Sequence, residues 1–143
     1  MRTKQAMRLL SRALLVFAAG MVALLLAGCS GETRSGNLTI AIRYSRFLPG
    51  SVSVPAGVPV TIVLRNDDPI EHEWIVGTEE VHERHRKGTE AVHDQLPTEV
   101  TVPALSTRLT TLVFDEPAEY TFVCHLPGHE AYGMIGSVRV VGR

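Results

Sequence analysis

An all-β fold, an antiparallel sandwich or barrel, is what this sequence predicts, and three features carry the prediction. Apolar residues recur with a period of two, the runs are short, and Pro and Gly turns separate them at a spacing that argues against a βαβ architecture. In the first run Leu38, Ile40, Ile42 and Tyr44 alternate with Thr39, Ala41 and Arg43. Val52 and Val54 follow a turn at Pro49 and Gly50, and Val60, Ile62 and Leu64 follow a second turn at Pro55, Ala56 and Gly57. Residues 107–114, 119–124 and 137–141 read as three further half-buried strands, the first two parted by Asp115, Glu116 and Pro117. One segment breaks the series. Residues 78–97 are rich in Glu, His, Arg and Lys, and form a polar insertion with the composition of a short helix lying on the surface.

The N-terminus has a different character. Arg2, Lys4, Arg8 and Arg12 make a basic start without an acid, followed by an apolar run over residues 13–26 that is too short for an ordinary membrane span and suits a secretory leader. The run ends in Leu26, Ala27, Gly28 and Cys29, which resembles the bacterial lipobox. That resemblance implies a lipoprotein signal peptide over residues 1–28, acylation of Cys29 and cleavage before it. Residues 29–36 then read as a flexible Ser, Gly and charged tether, and residues 37–143 as one domain. The protein is expected to be exported and lipid-anchored to the cell membrane, with its domain in the periplasm or extracytoplasmic space.

Removing residues 1–28 leaves 115 of the 143 residues, enough for one domain with its own core. The 14 Lys and Arg lose four and the 15 Asp and Glu lose none, so the mature chain carries 10 against 15, a net charge of −5. An acidic single domain without a basic patch is a poor partner for nucleic acid, which is set aside.

The chemistry concentrates in residues 120–134. Cys124, His129 and Met134 offer a thiolate, an imidazole and a thioether in one short stretch, and His72 upstream supplies a second imidazole. Two histidines and a cysteine with a weak methionine are the donors of a mononuclear electron-transfer copper site. Met1, Met7 and Met21 all fall in the leader, so Met134 is the sole methionine of the mature chain. Strand alternation turns Tyr120, Phe122 and Cys124 to the core and Thr121, Val123 and His125 the other way, which makes His125 a poor ligand candidate. Pro127 and Gly128 turn the chain so that His129 returns towards the sulfur.

Other readings fit less well. Cys124 alone would pass for a small buried hydrophobe. Magnesium and calcium want oxygen donors, and zinc sites seldom use a thioether. A binuclear copper centre needs a second cysteine, which residues 125–128 lack. A thiol hydrolase would leave the methionine idle and lacks an oxyanion-hole segment, so no enzymatic activity is expected. In the insertion, His82 and His85 would share a helical face and, with His93, could hold a second metal; the alternation of Glu with Arg and His reads instead as a solvated face.

Residues 120–134 resemble the type 1 copper signature of cupredoxins, the plastocyanin and azurin family of blue copper proteins. The similarity continues through residues 47–57, 60–66 and 72–76, and so covers about 37–142. It implies a Greek-key β-sandwich holding one type 1 copper through His72, Cys124, His129 and Met134. The role it implies is that of a one-electron carrier with redox protein partners in the cell envelope; the resemblance leaves the oligomeric state open, and a monomer is expected. Exported copper storage, delivery or resistance is the alternative. Two positions depart from the family pattern. Glu73 stands where Asn, Ser or Thr commonly ties the ligand loops, and His125 directly after Cys124 is similar to the copper oxidases, where that histidine leads electrons to further coppers. The chain lacks the extra domain and His-X-His pairs of those enzymes.

Overall fold

The computed structural model describes residues 36–89 and 95–142. The leader, Cys29, the tether up to residue 35 and His93 lie outside the described residues. Among the described residues nine strands and one helix follow in order: β1 Gly36–Ile42, β2 Phe47–Leu48, β3 Ser51–Pro55, β4 Val60–Asn66, β5 His72–Gly77, α1 Glu79–Lys87, β6 Glu99–Val102, β7 Thr107–Leu112, β8 Glu119–Val123 and β9 Ile135–Val141. They form two sheets, one ordered β2-β1-β4-β7 and the other β3-β9-β8-β5-β6. This is the Greek-key sandwich the sequence led us to expect.

The sheets are mixed rather than purely antiparallel. β1 pairs parallel with β4, setting Ile40 beside Leu64, and β3 pairs parallel with β9, setting Val52 beside Val138. Parallel neighbours need a long crossover. Here β3 supplies part of one by running in the opposite sheet between β2 and β4.

Alternation fills the space between the sheets. Ile40, Ile42, Ile62, Leu64 and Leu112 from one sheet meet Val54, Trp74, Val76, Phe122, Val138 and Val140 from the other, all buried in one cluster. Phe122 stands at its centre, edge-on to Phe47 at 5.1 Å and tilted against Trp74 at 5.9 Å. Cys124 and Met134 belong to the same cluster.

β5 is buried on both faces, from His72 through Val76. Trp74 and Val76 face the core, whereas Ile75 and, on neighbouring β8, Val123 are buried outside it. The cover comes from α1, which crosses so near that a Cβ on Gly77 would lie 2.8 Å from Val81. Glu79 and Glu80 open the helix and Arg84 to Lys87 close it, as the helix dipole favours, and Gly88 ends it in the left-handed conformation.

Two expectations are corrected, and one strand went unread. The insertion is not a solvated face, because His82 is fully buried and His85 nearly so, both on the side of α1 turned to the sheet. Tyr44 is not the end of the first strand; it lies past Ile42, at φ 55°, and is 85% exposed. The strand Glu99–Val102, which pairs with β5, was not read from the sequence, since its polar residues continue the character of the insertion.

Gly136 has no room for a side chain, because a Cβ there would fall 2.2 Å from Phe122 and 2.6 Å from the Gly50 carbonyl. Gly136→Ala is therefore expected to lower stability by about 1–3 kcal/mol, read as a lower urea midpoint. Gly50→Ala, whose Cβ would meet only the Phe47 carbonyl at 3.7 Å, should leave the midpoint nearly unchanged.

Candidate metal centre

Three elements deliver donors to one end of the sandwich. His72 is the first residue of β5, Cys124 follows β8 directly, and His129 lies in the turns joining β8 to β9. That connection is held by its own backbone. The Cys124 N–H donates to the Met134 carbonyl at 3.2 Å, Met134 N–H to His129 at 3.0 Å, and His129 N–H to Leu126 at 3.0 Å. Gly128 and Gly133 stand at φ 85° and 87°, where a side chain would be strained, and let the chain turn twice within a few residues.

The donor atoms converge. His72 Nδ1 and His129 Nδ1 are 3.2 Å apart, Cys124 Sγ is 3.3 Å from His129 Nδ1, and all three lie within 4.8 Å of one another. His72 and Cys124 are fully buried and His129 is half-buried at the rim. Met134 is also fully buried, tied to both Cys124 and His129 through the backbone bonds above.

The tautomer of His72 follows from its neighbour. Its Nε2 lies 3.0 Å from Asp68 Oδ2, and an ionised carboxylate can only accept. The ring proton is thus held at Nε2, and Nδ1 turns a bare lone pair to the site. Burial works against an ionised Asp68, yet hydrogen bonds from the Ser45 and Tyr44 N–H groups and from His72 outweigh it and hold the carboxyl below the usual carboxylate range. The two N–H groups lie 2.8 and 2.7 Å from its oxygens. Burial pushes His72 towards the neutral form, with Asp68 opposing. It also pushes the Cys124 thiol up, against the N–H groups of Glu73 and Leu126. A desolvated sulfur beside two imidazole nitrogens is a donor set that suits a soft or borderline cation and does not suit magnesium or calcium.

Nothing in the sequence marked Asn66 and Asp68 as parts of the site. Asn66 is buried, and its amide donates to the carbonyls of Ile70 at 2.7 Å, Pro103 at 3.0 Å and Val102 at 3.1 Å, while its Oδ1 accepts the Asp68 N–H at 2.9 Å. Glu73 reaches the other ligand segment through its backbone, donating its N–H to Cys124 Sγ at 3.4 Å. His125 points away from the sulfur, as alternation required, and packs against His82 and His85. No structure is described for His93.

A β-sandwich with a buried thiol and two imidazoles at one end defines a small protein built to hold a soft metal ion. The chain belongs to the cupredoxin family: the family model of the cupredoxin-like domain matches residues 16–135. It is similar to the copper-resistant cuproprotein CopI of Rubrivivax gelatinosus, with 30% identity over 79% of this chain and 72% of that one. CopI of Pseudomonas aeruginosa is 24% identical, over 74% of this chain and 76% of its own. Reduced auracyanin from the photosynthetic bacterium Roseiflexus castenholzii superposes with a TM-score of 0.64 at 20% identity, covering 75% of this chain and 98% of its own, a likeness of fold. The chain is thus a copper-binding cupredoxin with a His, Cys, His site.

If Asp68 orients His72, Asp68→Ala should weaken copper binding about 10- to 100-fold, measured by competition with a chelator. Asp67→Ala should not, since that carboxylate pairs with Arg43 and Arg65 at the surface.

Proposed function

We propose that this protein holds one copper as a type 1 centre and serves copper resistance in the cell envelope. His72 Nδ1, Cys124 Sγ and His129 Nδ1 would be the strong ligands and the Met134 thioether a weak fourth. The convergence of the three nitrogen and sulfur donors within 4.8 Å carries the reading. Burial of Met134 in the same core cluster as Cys124 supports its part. The resistance role draws on the likeness to two cuproproteins named for copper resistance. The protein acts by binding, without a catalytic step.

A second reading, one-electron carrier, is favoured by the way Asp68, Asn66 and the backbone of residues 124–134 hold the donors in place. Copper bound in such a site would change oxidation state with little movement of its ligands, and redox proteins of the envelope would be the partners. In either role the chain works as an exported monomer, processed after residue 28 and anchored through acylated Cys29.

Loaded with Cu(II), the wild-type protein should show an intense thiolate-to-copper band in the visible, and Cys124→Ser should abolish it. Met134→Leu should keep the band and raise the reduction potential. A colourless wild-type protein with an ordinary tetragonal copper signal would refute the type 1 assignment. In the cell, deletion should sensitise growth to copper, with rescue by the wild type and not by Cys124→Ser; a deletion strain of unchanged tolerance and impaired electron transfer would favour the carrier. Cys29→Ser should release the protein from the membrane fraction or block its processing, as the mass of the mature N-terminus would report.

A further inference from the structure

Behind the Cys124 site, under α1, lies a second group of imidazoles. His125 turns its ring to the outer face of the sheet, where His82 Nδ1 comes within 3.0 Å of His125 Nε2 and the ring of His85 stacks on that of His125 at 5.3 Å and 17°. His82 is fully buried and the His125 side chain is 7% exposed.

The outer nitrogens of the close pair face groups that only accept. His82 Nε2 lies 3.3 Å from the Thr121 carbonyl oxygen. His125 Nδ1 lies 3.4 Å from Glu130 Oε2, on a carboxylate paired with Arg86 at 2.7 Å. Both contacts place the ring proton outward, and a neutral imidazole has only one such proton. The two inner nitrogens then present lone pairs to each other across 3.0 Å, which is repulsive unless a cation lies between them. His72 and His129 show the same pattern in the first site, with facing nitrogens 3.2 Å apart and the His72 proton held outward by Asp68.

We propose that His82 Nδ1 and His125 Nε2 form a second metal site, for copper(II). Imidazole nitrogen suits late first-row metals, and copper(II) heads their affinity order. Nitrogens about 3 Å apart, each about 2 Å from one ion, subtend close to a right angle, the angle between adjacent ligands in tetragonal copper(II). A cleft of about 420 Å³, lined among others by His85, His125, Gly128 and Glu130, opens beside His125 and would admit water to the remaining positions. His85 supports the site by packing, since its Nδ1 is 2.9 Å from the Val81 carbonyl and its Nε2 is 3.5 Å from Glu99. The site stands independently of the role proposed for the first.

Titration of the full chain with Cu(II), followed by electron paramagnetic resonance, tests it. Two equivalents should bind, the second giving a tetragonal signal with nitrogen hyperfine structure. His82→Gln and His125→Gln should each remove the second equivalent and spare the first, whereas His93→Ala should remove neither. One equivalent in the wild type, or a second that survives both glutamine variants, overturns the proposal. Should the variants fail to fold, the wild-type protein with its first site filled by Cu(I) is titrated with Zn(II) as a diamagnetic probe under nitrogen-15 resonance. His82 Nδ1 and His125 Nε2 should shift. Unmoved resonances, or a metal-free ring protonated at both nitrogens, would mean that a proton fills the gap, and the site falls.

Discussion

Where β1 gives way to β2, Tyr44 and Ser45 aim consecutive N–H groups at Asp68, and the same carboxylate accepts a hydrogen bond from His72 Nε2. The Leu105 N–H adds a bond to the Asp68 carbonyl at 3.0 Å. Three loops, distant in sequence, are gathered around one buried residue. An ionised carboxylate out of water is costly unless its lone pairs are met, and once they are met the loss of any partner strands a charge. The left-handed φ of Tyr44 and Ser45 makes the paired donation possible, because it turns adjacent N–H groups the same way. The first ligand is therefore positioned by the end of the sandwich as a whole.

The second sheet carries a different constraint. Its central strands have the aromatic core on one side and α1 on the other, so His72 to Val76 of β5 and Phe122 and Val123 at the end of β8 are buried whichever way they point. Cys124 and His125, adjacent in sequence, thus lie in two separate interiors. One holds a thiol beside Phe122 and Met134; the other holds imidazoles beneath a helix. Burial pushes the His125 pKa down to about 4, which keeps that ring neutral at ordinary pH.

The period-two runs located most of the strands, and the chemistry of residue types located His72, Cys124, His129 and Met134, because both signals are local. What escaped depends on distance. Asp68 and Asn66 sit among polar neighbours before a proline, the composition of a solvated loop; their burial comes from segments 23 to 37 residues away. Tyr44 keeps the rhythm of β1, but the strand is ended by acceptor geometry at Asp68, which no periodicity records. The buried face of α1 is built on His82 and His85 rather than a stripe of aliphatic residues, so its residue types did not mark it as buried. Glu99 concealed β6 in the same manner, as a charged residue that is nevertheless buried.

His72 and His129 are 57 residues apart, and the bridge between them is the pairing of β5 with β8, which sets Ile75 beside Val123. Contacts of that separation form late, since the loop they close has a large entropy to lose. A chain in which the two strands have not yet met offers Cys124 and His129 from one turn, without their third partner and without the shelter of Trp74 and Phe122. Copper reaching such a chain would meet an accessible thiol able to oxidise or cross-link. Completing the sheet before the ion arrives is thus a matter of timing, and the topology that builds the centre also fixes the order in which folding and metal capture can safely occur.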